Sequence, residues 1–291
     1  MPRRTWRASE VACAAADIFL RAAELNRNDA RRAGNIVEFE AESEILYTGD
    51  IHGHRNNLSR ILAYADVSAC PQRRLVLQEI IHGPPDERTG QDRSVDLLLR
   101  AARLKVAQPE QVVFLLGNHD VAQLTGNEIS KNGRGVCKAF TEGVRYAFGA
   151  SGDEALAAIH DFLRSMPLAA RVGRTLMSHS LPSPGRWTDA CLDILRGGAT
   201  DADFRRGGPV YEWTWGRGHT PEHIEQLAAA IGVDFFLIGH YHTGRPFEAI
   251  GRRALTVSSD DDHGCLLPFA GATPLNQAAA LEALKPIVSL G

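Results

Sequence analysis

The sequence predicts an α/β fold whose strands are buried on both faces. Two patterns predict it: short apolar runs alternate with stretches of helical period, and each run is closed by a sharp polar turn. A third observation gives the fold a direction. Histidines and carboxylates gather just past the ends of the apolar runs, which in an open α/β sheet is the edge where emerging loops converge on ligands.

The elements follow in order. Val11, Ala15, Ile18, Phe19, Ala22 and Leu25 share one helical face, with Arg21, Glu24 and Arg27 off it, so residues 8–33 read as an amphipathic helix packed on the main domain. Residues 44–48 form a strand and 56–65 the helix after it. Residues 74–79 are a second strand, 84–91 a Pro/Gly/charge-rich loop, and 92–106 a helix. The run at 111–116 is a third strand, β-branched and strongly apolar. A Gly/Asn/Lys-rich loop at 127–135 leads to helices at 136–148 and 153–165, taken as part of a helical insertion over 121–170. Another strand occupies 174–178. Thr220 caps a helix that has Pro221 at its first position and runs to about residue 230. Strands at 234–238, 247–250 and 254–258 complete the set, and a short helix at 277–284 closes the chain. No repeat or linker interrupts this pattern, so residues 1–291 read as one domain.

Composition narrows the function. A net charge of −3 without a long basic block gives a nucleic-acid polymer nothing to bind. The cysteines, Cys13, Cys70, Cys137, Cys191 and Cys265, are scattered and lack metal-type spacing, which fits small core thiols in a reducing compartment. Glu10 and Asp17 break any signal-peptide core, and no uncharged run is long enough to span a bilayer. A cytoplasmic chain without a membrane partner is expected.

Chemistry concentrates in Gly-Asp-Ile-His-Gly at 49–53, Gln-Glu-Ile-Ile-His-Gly at 78–83, Gly-Asn-His-Asp at 117–120, Ser-His-Ser at 178–180 and Gly-His-Tyr-His at 239–242. Any one of these histidines alone would be an ordinary core or loop residue. Together, Asp50, His52, Glu79, Asn118, His179, His240 and His242 make a ligand set for two cations about 3.5–4 Å apart. Asp50 and His52 can clamp one ion, His240 and His242 alternate so that one can face each, and Asn118 adds a neutral carbonyl oxygen. Nitrogen and oxygen donors without thiolate suit manganese, iron, zinc or cobalt better than calcium or Cu(I).

The segments 49–53 and 117–120, His179 and 239–242 resemble the calcineurin-like metallophosphoesterases. The phosphoprotein phosphatase branch is the nearer likeness, through Gly49-Asp-Ile-His-Gly-His-Arg-Asn-Asn-Leu, Phe114-Leu-Leu-Gly-Asn-His-Asp and Met166-Pro-Leu-Ala-Ala before Met177-Ser-His-Ser-Leu. The resemblance spans roughly residues 44–265. It implies a four-layer α/β sandwich, two mixed sheets flanked by helices, with two divalent transition-metal ions, manganese foremost, at one edge. It places Asp50, His52 and His242 on one metal and Asn118, His179 and His240 on the other. It makes His119 the proton donor to the leaving oxygen and Asp120 the residue that orients it. The reaction implied is hydrolysis of a phosphate ester by a metal-bound hydroxide. Its substrate would be a phosphorylated small molecule, a nucleotide or a phosphoprotein.

The second motif departs from the family's Gly-Asp-x-x-Asp-Arg-Gly. Glu79 replaces the bridging Asp with one more methylene, His82 replaces the Asp that supports the catalytic histidine, and Gly83 replaces a phosphate-gripping Arg. Leu116 stands where the branch has another Arg. His82 is therefore expected within reach of the metals or the phosphate, as a catalytic residue or an extra ligand. Arg55, Arg217 and Arg245 are candidates to replace the lost arginines. Two rival readings remain: a nucleotide or dinucleoside polyphosphate hydrolase, and a metal-containing binding protein with weakened turnover.

Overall fold

The central strands are apolar on both faces, one turned to the facing sheet and one to the helices, and that division builds the layers. The protein is described here by a computed structural model covering residues 8–131, 133–241 and 244–290. The chain opens with α1 (Ala8–Arg27), β1 (Arg32–Ala33), β2 (Ile36–Phe39), β3 (Glu44–Asp50), α2 (Arg55–Ala65), β4 (Arg73–Gln78), α3 (Ser94–Ala107), β5 (Val112–Leu115) and α4 (Asn118–Thr125). A hairpin, β6 (Ser130–Lys131) and β7 (Arg134–Gly135), precedes α5 (Val136–Phe148) and α6 (Gly152–Ser165). Then come β8 (Ala169–Val172), β9 (Thr175–Ser178), α7 (Asp189–Arg196), α8 (Pro209–Trp215) and α9 (Pro221–Ile231). The last elements are β10 (Phe235–Ile238), β11 (Phe247–Ile250), β12 (Ala254–Val257), β13 (Cys265–Ala270), α10 (Gln277–Ala283) and β14 (Lys285–Pro286).

Two mixed sheets result, ordered β1-β2-β8-β9-β10-β12-β11 and β14-β13-β3-β4-β5. Strands β3, β4 and β5 run parallel, as do β9, β10 and β12, so their carboxyl ends share an edge. Ile45 and Tyr47 of β3, Val113 and Leu115 of β5, and Phe235 and Leu237 of β10 belong to one buried cluster shared by both sheets. The intervening Leu46, Val112, Phe114, Phe236 and Ile238 join a second cluster with the helices. Helix, sheet, sheet and helix stack as the expected sandwich.

The first helix ends at Arg27, not at 33, because the chain turns there into β1, which pairs with β2. It packs against α6 and α3. Residues 127–135, read from composition as a loop, contain the β6–β7 hairpin. Strands β2, β8 and β13 and helices α4, α7 and α8 have no counterpart in the sequence reading. They are short, and β8 (Ala-Ala-Arg-Val) and β13 (with Pro268) lack the β-branched runs that mark a strand.

Candidate metal centre

The loops after β3, β4, β5, β9 and β10 bring the predicted donors to one buried edge. Asp50, His52, Glu79, Asn118, His179 and His240 are each no more than 4% exposed. His242 lies outside the described residues. Backbone strain concentrates here among the described residues. Five described non-glycine residues have positive φ; His52, Glu79, His82 and His240 are four of them. Such conformations cost about 1–3 kcal/mol each and persist only where surrounding contacts hold them. At His240 the strained turn aims its N–H at Asp50, donating to Oδ2 at 3.0 Å.

Glu79 occupies the centre. It belongs to both groups of donors whose ligating atoms lie within 4.8 Å of one another: His52, Glu79 and His119, and Asp50, Glu79 and His179. Its Oε1 accepts from His119 N–H at 2.6 Å, and its Oε2 lies 3.3 Å from His52 Nε2. The extra methylene fits because residue 117 is glycine. A Cβ there would sit 2.2 Å from Glu79 Cγ. Gly239 does the same for Asp50, whose Oδ1 would be 2.5 Å from a Cβ at 239.

Hydrogen bonds fix which imidazole nitrogen faces inward. His52 Nδ1–H donates to Ile81 O at 3.2 Å, leaving the Nε2 lone pair toward Glu79. Gln78 Nε2 donates to Tyr47 Oη and Thr48 O, both at 2.8 Å. Its Oε1 must therefore accept from His179 Nδ1 at 2.8 Å. That leaves His179 Nε2 as a lone pair, 2.8 Å from Asn118 Oδ1, 3.1 Å from His240 Nδ1 and 3.4 Å from Glu79 Oε1. Asn118 Oδ1 is 2.7 Å from His240 Nδ1. His240 Nδ1–H can donate to that oxygen, but His179 Nε2 faces Asn118 Oδ1 and Glu79 Oε1 with lone pairs on every side, and such atoms rarely crowd so closely without a cation. Ligands about 2.0–2.2 Å from one ion are themselves about 3 Å apart.

The electrostatics agree. Burial, then the nearby Asp50 and Asp120 charges, push the Glu79 carboxyl well above its ordinary range. Burial likewise raises Asp120 to about 7 and lowers His52 to about 4. Neutral imidazoles beside carboxylates that resist sharing charge fit a divalent ion, which relieves both.

His119 is 9% exposed, and its ring stands edge-on to that of His52, centroids 4.5 Å apart. Its Nδ1 is 2.8 Å from His82 Nδ1. Gln123 Nε2 donates to Thr141 Oγ1 at 3.1 Å, so Gln123 Oε1 accepts from His82 Nε2–H at 3.0 Å. A neutral His82 then accepts at Nδ1, and His119 donates to it. His119 consequently presents the lone pair of Nε2 to the centre. Burial, followed by the His52 and His82 charges, holds His119 well below the usual histidine range. His82, buried and pulled down to about 4, is thus a contact of His119 and not one of the grouped donors.

Asp120 sits beside His119 in the chain and holds the start of its helix. Its Oδ2 accepts from Gly117 N–H at 2.9 Å, capping α4, while the imidazole of His119 is contacted by His82. Of the arginines considered, Arg55 pairs with Asp96 at 3.6 Å and Arg217 lies over Tyr241. Gln78 and Gln123 were not read from the sequence. The signal for Gln78 was a lone amide ending an apolar strand, one residue before Glu79. That for Gln123 was its position four residues after His119 on one helix face. Trp213 is core, donating to Cys191 O at 2.7 Å, whereas Trp215 stacks on Tyr211 near His240.

Comparison with known proteins points one way. A family model described as calcineurin-like phosphoesterase matches residues 43–244. A protein serine/threonine phosphatase from Saccharomyces cerevisiae, described as similar to human phosphatase PP5, superposes with a TM-score of 0.66 at 18% identity, covering 95% of this chain and 93% of that one. A cold-active protein-tyrosine phosphatase from a psychrophilic Shewanella superposes with a TM-score of 0.57 at 15% identity, covering 91% and 84%. No curated protein matches the chain. At these identities the two structures bear on the fold alone.

Proposed function

The chain belongs to the calcineurin-like phosphoesterases, and on that premise we propose that it is a metal-dependent phosphomonoesterase with a dinuclear centre bridged by Glu79. The observation that carries this reading is the membership of Glu79 in both donor groups. On the family pattern Asp50, His52 and Glu79 would hold one ion, and Glu79, Asn118, His179 and His240 the other; by atom spacing Asp50 stands with Glu79 and His179, and His119, beside His52 and Glu79, is kept for proton transfer. Two divalent cations there would polarise phosphoryl oxygens and lower the pKa of a water to near neutrality. Manganese is the first choice for a nitrogen–oxygen donor set, with iron, zinc or cobalt as alternatives. The likeness of residues 49–58, 114–120 and 166–181 to the phosphoprotein phosphatase branch favours a monoester.

The chain's own residues supply proton transfer and positioning. His119 works at Nε2, the nitrogen that the Thr141–Gln123–His82 relay leaves facing the centre. A dianionic phosphate arriving beside it offsets the penalty of burial and raises its pKa. His119 then carries a proton to the leaving oxygen, a role worth about 10²–10⁴-fold. His82 positions that ring from behind. The test is hydrolysis of p-nitrophenyl phosphate, bis(p-nitrophenyl) phosphate, ATP and a phosphopeptide by protein loaded with Mn²⁺. Monoester turnover that chelation abolishes supports the reading. A loaded chain that hydrolyses none of these returns it to a binding protein.

A further inference from the structure

A cavity of about 360 Å³ opens beside the centre, with His52 and His82 in its wall. Its cations come from the β6–β7 hairpin. Lys131 and Arg134 both line it, and the antiparallel register sets them directly opposite each other. Side chains of opposed residues share a face, with Cβ atoms about 4.5–5.5 Å apart, and like charges placed so destabilise the pair. Both charges reach buried carboxylates nearby, Arg134 that of Asp92 and Lys131 that of Glu79, and favour their ionised forms. Glu128, close in sequence, instead accepts from Cys137 N–H at 2.8 Å and Lys138 N–H at 3.1 Å at the start of α5. A hairpin that sets two cations side by side over a cavity is suited to an anion between them.

The rest of the wall sets the shape of that anion. Pro84, Pro85, Val136 and Ala139 offer an apolar surface, and Asp260 is the acidic residue of the lining. The volume is near the lower end of the roughly 300–1,000 Å³ usual for small-molecule sites. A phosphoryl group with one compact alcohol suits this space better than a diester with two.

We propose that Lys131 and Arg134 clamp the phosphoryl group of a dianionic phosphomonoester whose alcohol is a compact apolar or aromatic group resting on Pro84, Pro85, Val136 and Ala139. The proposal rests on the phosphoesterase reading above for its reaction, and on the hairpin and the cavity for its residues. It makes the hairpin a specificity element, supplying the charge that Gly83 and Leu116 do not.

The test is calorimetric binding of inorganic phosphate and of phenylphosphonate, which has no ester bond to cleave, to the full-length chain loaded with Mn²⁺. Lys131→Gln and Arg134→Gln should each weaken inorganic phosphate about tenfold, the low end for a charge-assisted hydrogen bond at an open rim. Metal content should be unchanged, and in turnover KM should rise far more than kcat falls. Lys131→Arg should retain most of the affinity. Phenylphosphonate should bind more tightly than phosphate to the wild type. Glutamine variants that bind phosphate as the wild type does would overturn the clamp, and equal affinity for the two ligands would overturn the apolar subsite. If the wild type hydrolyses no ester while the variants lose phosphate, the clamp stands and the catalytic reading falls. If esters turn over normally in the variants, the reverse holds.

Discussion

Gly117→Ala probes whether Glu79 must occupy its observed position. The backbone at 117 (φ −106, ψ 174) is one that alanine adopts, so the substitution acts through its methyl group alone. That Cβ would lie 2.2 Å from Glu79 Cγ and 2.3 Å from Oε1, where ordinary contact begins at 3.4 Å. The carboxylate must therefore retreat by roughly 1 Å. It cannot do so and keep its contacts, being held by His119 N–H at 2.6 Å and seated on a backbone with φ of 39°. Overpacking of this kind costs about 1–3 kcal/mol of stability. Displacing a metal-site carboxylate by that distance should lower metal affinity about 10–100-fold and turnover by about 10²-fold. The assay is Mn²⁺ competition with a fluorescent chelator, with p-nitrophenyl phosphate hydrolysis at limiting and excess Mn²⁺. Gly198→Ala, where an added Cβ meets nothing within 4 Å, serves as the control. A Gly117→Ala protein with wild-type metal affinity and wild-type rate would refute the placement of Glu79.

Other outcomes follow from the same geometry. His82→Asp puts a carboxylate against His119 in place of an imidazole, so His119 stays protonated to higher pH, and the alkaline limb of the pH–rate profile should move upward; an unmoved limb would show that His82 is a bystander. His119→Ala should cost at least about 10²-fold in kcat with metal content nearly intact. His179→Ala should instead strip metal; since His119 also lies within reach of His52 and Glu79, a His119→Ala protein that loses an ion would make His119 a ligand. Lys105, 1% exposed and bonded to Pro109 O at 2.7 Å, is pulled down to about 8 from 10.5, chiefly by burial. The folded chain then binds this proton less readily than the unfolded one, so its contribution to stability rises with pH across that interval, by at most about 3 kcal/mol. Urea unfolding of wild type and Lys105→Met at pH 7.5 and 9.5 should show the difference between them growing in favour of the wild type; a constant difference would contradict it.

Much of this architecture is legible in the sequence because the strands that build the site are apolar on both faces and end in polar turns. Gln111 to Leu116 could hardly be anything but a buried strand, and Asn118 and His119 follow it directly. What stayed hidden depends on contacts distant in the chain. Gln78 reads as a strand end until His179, from another sheet, donates to it. His82 could have faced solvent, and only the packing of α4 brings Gln123 and His119 to its two nitrogens. The hairpin at 130–135 was concealed by its polarity, since two-residue strands carry no apolar alternation. For Asp120 the family motif names a role toward His119, and what the fold adds is that its carboxylate caps α4 through Gly117 N–H.

The central claim is that Glu79 is shared by two ions. Elemental analysis of protein reconstituted with Mn²⁺ and freed of excess metal tests it directly, with Glu79→Ala measured beside the wild type. Two ions per chain are predicted for the wild type, with Glu79→Ala losing affinity for both, since the carboxylate belongs to each donor group. A wild-type stoichiometry that never exceeds one, or a Glu79→Ala protein that still holds two, would contradict the dinuclear account.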